Sequence, residues 1–293
     1  MSDTPKARRP RHKRVEEQER PVMVLTDRDK DIIRAVNDHR ALKQEHIQAL
    51  FFNSRSTAQF RLQRLYQNEF LDRQFLSVVS GGPAASPAIY TLEKRGVKVL
   101  VEELGLDRRE VRLPKGAFSW QFIEHLLKIN DFRVAVALAA RINGFTLEDW
   151  RDETVFRANP DYVTLHDKRD KPVKKPVLPD GYFCLAAPRG KARFFLEIDR
   201  GTEELSKFTP QIKVYNQYTA SGQYAERFAA KSLRVLIISS SPRRQATLME
   251  ATKAVGGDRK YWFTTFGQIS AETVFTAPIW QQLESDSSAP LIQ

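Results

Sequence analysis

Three carboxylates stand where chemistry on a phosphodiester could be done. Asp180 lies in Leu178-Pro179-Asp180-Gly181-Tyr182. Glu197 and Asp199 lie in Phe194-Phe195-Leu196-Glu197-Ile198-Asp199-Arg200-Gly201-Thr202-Glu203. The segments Val177–Ala187 and Ala192–Asp199 read as two apolar strands joined by Pro188-Arg189-Gly190-Lys191. If that loop closes a hairpin with Ala187 opposite Ala192, Asp180 falls opposite Asp199 and Tyr182 opposite Glu197. Side chains two apart share a strand face, so Asp180, Glu197 and Asp199 would gather on one face, with Phe183, Leu185, Phe194, Leu196 and Ile198 on the other, in the core. Like charges held that close repel, and burial raises the cost. Two outcomes relieve it. One is a divalent cation such as Mg²⁺ or Mn²⁺, held by Asp180 and Glu197 with Asp199 contributing, which would activate a water and neutralise a phosphate. The other is an ion-pair network with Arg200, Lys207 or Lys213.

The helix expected to follow, from about Thr209 with Pro210 in its first turn, puts Gln211 and Tyr215 on one face and Lys213 and Gln217 on another. Upstream, a long helix over 118–142 carries an apolar stripe from Phe122 to Ala139, interrupted by Glu124, His125 and Asn130. Phe145–Glu153 reads as a strand, and 159–177 as a basic loop or weak hairpin suited to a DNA backbone or simply to solvent. Leu233–Ser239 reads as a buried strand, 241–255 as a helix stopped by Gly256-Gly257, and Tyr261–Phe266 as a last strand.

The first part of the chain has a different pattern. Thr26 followed three residues later by Asp29 signals a helix start. Helical stripes through Ile32–Val36 and Ile47–Phe51 precede a third helix, Ser56 to Asn68, with Arg55, Gln59, Arg61 and Arg64 on its polar side. A hairpin over 70–92 with a Gly81-Gly82-Pro83 tip and a closing helix, Glu93 to Leu104, complete the order of a winged helix-turn-helix. There the third helix enters the major groove, and Arg55, Gln59, Arg61 and Arg64 are the candidate contacts to double-stranded DNA.

Composition agrees with that partner. The 293 residues carry a formal net charge of +11 and 41% hydrophobic residues, enough for packed cores and suited to a polyanion. No apolar run approaches the ~20 residues of a membrane span. No secretory h-region is present, and one cysteine, Cys184, excludes an internal disulfide. The cytoplasm is the expected compartment. The expected organisation is a disordered basic arm over 1–22, a winged helix over 23–106, a linker over 107–117, a second domain over 118–280 and a disordered tail over 281–293.

From residue 118 the order helix, three strands, helix, strand, with Pro179-Asp180 and Glu197-Ile198-Asp199, resembles the PD-(D/E)XK nuclease fold. Gln211-x-x-x-Tyr215 resembles the helix motif of its RecB-type branch. The resemblance implies an α+β chain: a winged helix-turn-helix followed by a nuclease-like α/β domain with a mixed central sheet. Over roughly residues 24 to 267 the chain resembles the replication-relaxation family of plasmid and mobile-element proteins. That resemblance rests on Leu25-Thr26-x-Arg28-Asp29, Leu62-x-x-Leu65-Tyr66, Tyr90-x-Leu92, Asn130-Asp131-Phe132-Arg133, Pro179-Asp180-Gly181 and the run from Phe195 to Glu203. It implies a part in plasmid replication or relaxase-related mobilisation, with replication or transfer-origin proteins as partners. The carboxylate pattern and the nuclease resemblance make Asp180, Glu197, Asp199 and Lys213 the candidate catalytic group, with Arg200, Glu203, Gln211, Tyr215 and His125 as supporting candidates. The pattern departs from the nuclease at one place. The lysine that follows the second acid after one residue is here Asp199, and Lys213 or Lys207 on the next helix is the candidate substitute. Three readings therefore stay open: a metal-dependent nicking enzyme, a non-cleaving accessory factor, and a winged-helix transcriptional regulator.

Overall fold

The structure is a computed structural model. It describes residues 14–75, 87–114, 116, 118–167, 169–202, 204–285 and 287–292. The chain divides into two compact units, one ending at Asn130 and the other starting at Asp131. The division falls within the long helix rather than in the 107–117 segment expected as a linker.

In the first unit the described elements run α1 (Asp27–His39), β1 (Leu42–Lys43), α2 (Gln44–Phe51), α3 (Arg55–Gln67), β2 (Leu71–Phe75), β3 (Ala88–Leu92) and α4 (Lys94–Lys98), whose last turn widens into a π-helical segment over Val99–Glu103. The three strands form one antiparallel sheet in the order β1-β3-β2. The expected hairpin tip at Gly81-Gly82-Pro83 lies outside the described residues. Helix α1 starts as the sequence suggests, with a capping box: the Thr26 hydroxyl accepts the Asp29 backbone N–H and the Asp29 carboxylate accepts the Thr26 backbone N–H. The first half of α5 (Trp120–Asn143) supplies Ile123, Leu126 and Leu127 to a core shared with Ala41 and Ile89. Asn130, 1% exposed, donates to the Ala41 carbonyl at 2.7 Å, so this polar interruption of the stripe is a satisfied core residue.

Residues 14–22, expected within a disordered arm, are held in place. Arg14 donates to the Tyr66 carbonyl at 2.9 Å and pairs with Glu93 at 3.1 Å, and Arg20 pairs with Glu69 at 2.9 Å.

The second unit is built on a mixed sheet in the order β12-β11-β10-β9-β8-β7-β4. Its strands are β4 (Thr146–Asp152), β7 (Gly181–Ala187), β8 (Gly190–Asp199), β9 (Arg234–Ser239), β10 (Tyr261–Thr265), β11 (Trp280–Gln282) and β12 (Ser288–Ala289). Strands β4, β7 and β8 are antiparallel neighbours, whereas β9 runs parallel to both β8 and β10. A separate two-stranded ribbon, β5 (Tyr162–His166) with β6 (Pro172–Pro176), interrupts the run between β4 and β7. The helices are α6 (Glu153–Ala158), α7 (Leu205–Ala220), α8 (Gln223–Phe228) and α9 (Pro242–Ala254).

Aromatic layers cover both faces of the sheet. On one, Phe183 stacks on Phe194 at 4.6 Å and on Trp150 at 5.5 Å, with Phe132 of α5 against Phe183 and Trp280. On the other, Phe195 lies within a ring of Phe156, Tyr182, Tyr215, Tyr218, Tyr224 and Phe228. The expectation of one apolar and one acidic face is therefore corrected. A sheet buried on both sides needs apolar residues at successive positions, as in Phe194-Phe195-Leu196.

Three other expectations change. Helix α7 begins at Leu205, so Pro210 lies inside it rather than in its first turn. The carbonyl that Pro210 leaves without a backbone donor belongs to Ser206, and both residues are exposed, so water can take it. Helices α6 and α8 were not anticipated. The 281–293 tail contains β11's end and β12, with Leu291 1% exposed.

Phe195→Ala should remove a fully buried ring from six aromatic neighbours and destabilise the second unit by about 3–5 kcal/mol. Chemical denaturation followed by tryptophan fluorescence measures this directly.

Candidate functional site

Asp180 immediately precedes β7, and Glu197 and Asp199 end β8. The hairpin pairs Ala187 with Gly190 and Gly181 with Leu196, around a tight Pro188-Arg189 turn. This is two residues off the expected register, so Asp180 approaches the Glu197–Ile198 stretch rather than Asp199. Gly190 takes a φ of +125°, a conformation open to glycine, which lets the turn close on two residues. A slip of two keeps every side chain on its expected face, where a slip of one would have inverted the strand.

The three carboxylates do not form one cluster. Asp180 Oδ2 accepts the Ile198 backbone N–H at 2.8 Å, clamping the segment before β7 onto β8. Glu197 Oε1 accepts the Tyr215 hydroxyl. Tyr215 in turn accepts from Gln211 Nε2 at 2.6 Å, and the same amide nitrogen reaches the Leu178 carbonyl at 3.2 Å. A continuous chain of hydrogen bonds thus runs from the Leu178-Pro179-Asp180 segment through α7 to Glu197. Burial pushes the Tyr215 phenol well above its ordinary pKa, and the charges of Glu197 and Asp180 add to the effect. It stays protonated and donates, which suits a positioning residue and not a nucleophile. Tyr218 is also raised, by burial first and then by the Asp161 carboxylate it donates to.

Asp199 is 4% exposed and belongs to a separate pair. Arg244, in the first turn of α9, donates to its two oxygens at 2.9 and 2.7 Å, and the Gly201 N–H reaches Oδ1 at 2.8 Å. This is the bidentate geometry that best compensates a buried carboxylate. The ion-pair outcome therefore holds at Asp199, through Arg244 rather than the expected Arg200, Lys207 or Lys213. Lys213 is exposed and sits two residues from both Gln211 and Tyr215. At about 100° per residue it points away from the side of α7 that meets Glu197, so it is not the displaced lysine. Lys207 is exposed as well, and Arg200 is half-buried. Glu203 lies outside the described residues. His125 is half-buried on the first half of α5, in the first unit. Among the described residues, no group of three or more His, Cys, Asp or Glu is arranged to hold a metal ion. The expected three-carboxylate centre is thus reduced to the pair Asp180 and Glu197.

On α3, Arg55 and Gln59 are exposed, and Phe60 beside them is 61% exposed. Arg61 and Arg64 turn inward. Arg61 donates from Nε to Asp29 Oδ1 at 2.6 Å, from Nη2 to Oδ2, and to the Val24 carbonyl at 2.9 Å. Arg64 donates to the Val22 carbonyl and lies over the Phe60 ring at 5.5 Å. These two arginines brace the first unit. The cause is burial: Asp29 is the acid of the α1 capping box, and because it is fully enclosed its charge needs a cation as well as the backbone N–H.

The model of a family described as replication-relaxation matches residues 33–231. The chain belongs to the replication-relaxation family. The matched span holds α3, Asp180, Glu197, Asp199, Gln211 and Tyr215, whereas Arg244, which neutralises Asp199, lies beyond it. No curated protein matches this replication-relaxation chain. Among solved structures, restriction endonuclease FokI aligns at 10% identity with a TM-score of 0.29, over 83% of this chain and 43% of its own. The chain thus spans less than half of that structure's length, and a likeness of that degree says nothing about activity.

Two outcomes follow from these pairs. Burial tends to raise the Asp29 pKa, but hydrogen bonds from Arg61 and Thr26 outweigh it and hold the carboxyl below its usual range. Its stabilising contribution is then complete above the ordinary aspartate value, near 3.9, and is lost as pH falls through the lowered one. Asp29→Asn should flatten that part of the acid-unfolding curve of the first unit, measured by circular dichroism. Arg244→Ala should strand a buried charge and destabilise the second unit by about 3–5 kcal/mol, with Asp199→Asn in the same chain recovering part of it. Urea unfolding of the single and double variants provides the comparison.

Proposed function

We propose that this chain is a double-stranded-DNA-binding factor of plasmid or mobile-element replication or mobilisation. In this reading it acts in the cytoplasm beside replication or transfer-origin proteins. The first unit acts as a winged helix. Its order α1-β1-α2-α3-β2-β3 and its β1-β3-β2 sheet support that reading, and exposed Arg55 and Gln59 on α3 are the groove contacts. The order in the second unit, from the second half of α5 through antiparallel β4, β7 and β8 to α7 and parallel β9, supports a PD-(D/E)XK-like reading of that unit. It engages DNA without hydrolysing it.

One observation carries the non-cleaving reading. Where the nuclease pattern needs a lysine beside the reacting phosphate, this chain has Asp199, and that carboxylate is buried against Arg244. An acid there offers the phosphate no positive charge, and its paired arginine is occupied in compensating it. The hydrogen-bond chain from Gln211 through Tyr215 to Glu197 favours a second reading, a metal-dependent nicking enzyme. It orients one acid beside Asp180 as a Mg²⁺ or Mn²⁺ site would require. In that case Asp180 and Glu197 would hold the ion, which supplies an activated water, and the chain's own part is to orient Glu197.

Supercoiled plasmid and linear duplex separate the two. The expected result is duplex binding that weakens steeply with salt, no nicking with Mg²⁺ or Mn²⁺, and unchanged affinity in Asp180→Ala. Metal-dependent nicking that Asp180→Ala abolishes would establish the enzyme instead.

A further inference from the structure

The ribbon β5–β6 belongs to neither sheet, and its sequence is unusual. Residues 162–176 contain Lys168, Arg169, Lys171, Lys174 and Lys175 against Asp167 and Asp170, five basic groups to two acidic. Arg169, Lys171, Lys174 and Lys175 are exposed. The register pairs Tyr162 with Pro176 and Thr164 with Lys174, which places Tyr162, Thr164, His166 and Lys174 on one face. That face is turned to solvent, with Tyr162 50% exposed. The opposite face carries Val163, which is buried in the core under α7, and Leu165, which packs against it.

The ribbon is rigidly mounted. At its base Asp161 accepts the Tyr218 hydroxyl and pairs with Arg227 at 2.8 Å, while Arg227 also donates to the Asn159 carbonyl at 3.0 Å. Val177 donates to the Asp161 carbonyl at 2.9 Å, closing the open end. At the turn Asp167 Oδ1 accepts the Arg169 and Lys171 backbone N–H groups at 2.8 and 2.9 Å, so this acid is spent on the backbone. A ribbon held at base and turn presents its cations without a large ordering cost.

We infer that this ribbon is a second nucleic-acid-binding element, gripping the phosphate backbone of duplex DNA and leading it past Asp180 and Glu197. It rests on the DNA-binding reading above and names a surface within it. A two-stranded ribbon fits the major groove, and exposed cations fit phosphates: Lys174 on the solvent-turned face, Lys175 beside it on the other face of β6, and Arg169 and Lys171 at the turn. Pro172 and Pro176 lack an N–H, which weakens the β6 edge as a template for another strand and disfavours a protein partner adding to it. Asp180 follows Pro176 by four residues, a reach of no more than about 14 Å.

The test uses the full chain and a non-specific duplex, with Lys171→Ala, Lys174→Ala and Lys175→Ala combined, and Arg55→Ala with Gln59→Ala as the comparison. All five positions are exposed, and unchanged thermal unfolding confirms the fold. Each lost phosphate contact lowers the slope of log K against log salt by about 0.9. The ribbon variant should lose roughly two to three units of slope and bind about 10- to 100-fold more weakly at 0.15 M salt, equally on all sequences. An affinity and slope equal to the wild type's would overturn the ribbon inference while leaving DNA binding intact. If the wild-type chain binds no duplex at low salt, both the ribbon and the parent reading fall.

Discussion

Carboxylates carried into an apolar interior organise this molecule. A buried charge costs several kcal/mol unless it is hydrogen-bonded and compensated. Four buried or half-buried acids therefore each draw a partner from a distant part of their unit. Asp29 brings Arg61 from α3, Asp161 brings Tyr218 and Arg227, Glu197 brings Tyr215, and Asp199 brings Arg244. These contacts join residues that the chain separates by 18 to 66 positions, tying helix to helix at Asp29 and helix to sheet at Glu197 and Asp199.

The aromatic layers supply what the polar pairs do not. Phe195 and Phe183, on opposite faces of adjacent strands, are each surrounded by rings and fully buried. Covering both faces pushes the acids to the strand ends, beyond the packed region. Asp180 and Glu197 are only half-buried there, whereas Asp199, the last residue of β8, is enclosed against Arg244 of α9. A difference of two residues along β8 thus separates an acid that accepts a tyrosine hydroxyl from one that is paired with an arginine.

The same division holds among the basic groups. In a chain with 47 lysines and arginines, composition alone makes every cation a candidate for DNA. Arg61, Arg64, Arg227 and Arg244 instead satisfy internal acids and carbonyls, while Arg55, Lys171, Lys174 and Lys175 remain at the surface. The arginines bridge internal partners because a planar fork can satisfy two acceptors at once, whereas flexible lysines are better left in water.

Much of this was legible beforehand. The α1 cap, the helix-helix-hairpin order, the two central strands, the Gln211–Tyr215 face and the α9 stop at Gly256-Gly257 follow from short-range rules of spacing, capping and turn chemistry. Even the hairpin register, two residues off, preserved its faces because the strand repeat is two. What the sequence could not settle is which charges meet. Asp199 and Arg244 stand 45 residues apart, on a strand and a helix whose approach depends on β9 lying parallel beside β8. Lys213 had the right residue type and failed on helical phase once Tyr215 turned inward. Local pattern determined the elements and their faces. Only the tertiary structure decided the pairing, because the energy of a buried charge depends on what long-range packing brings next to it.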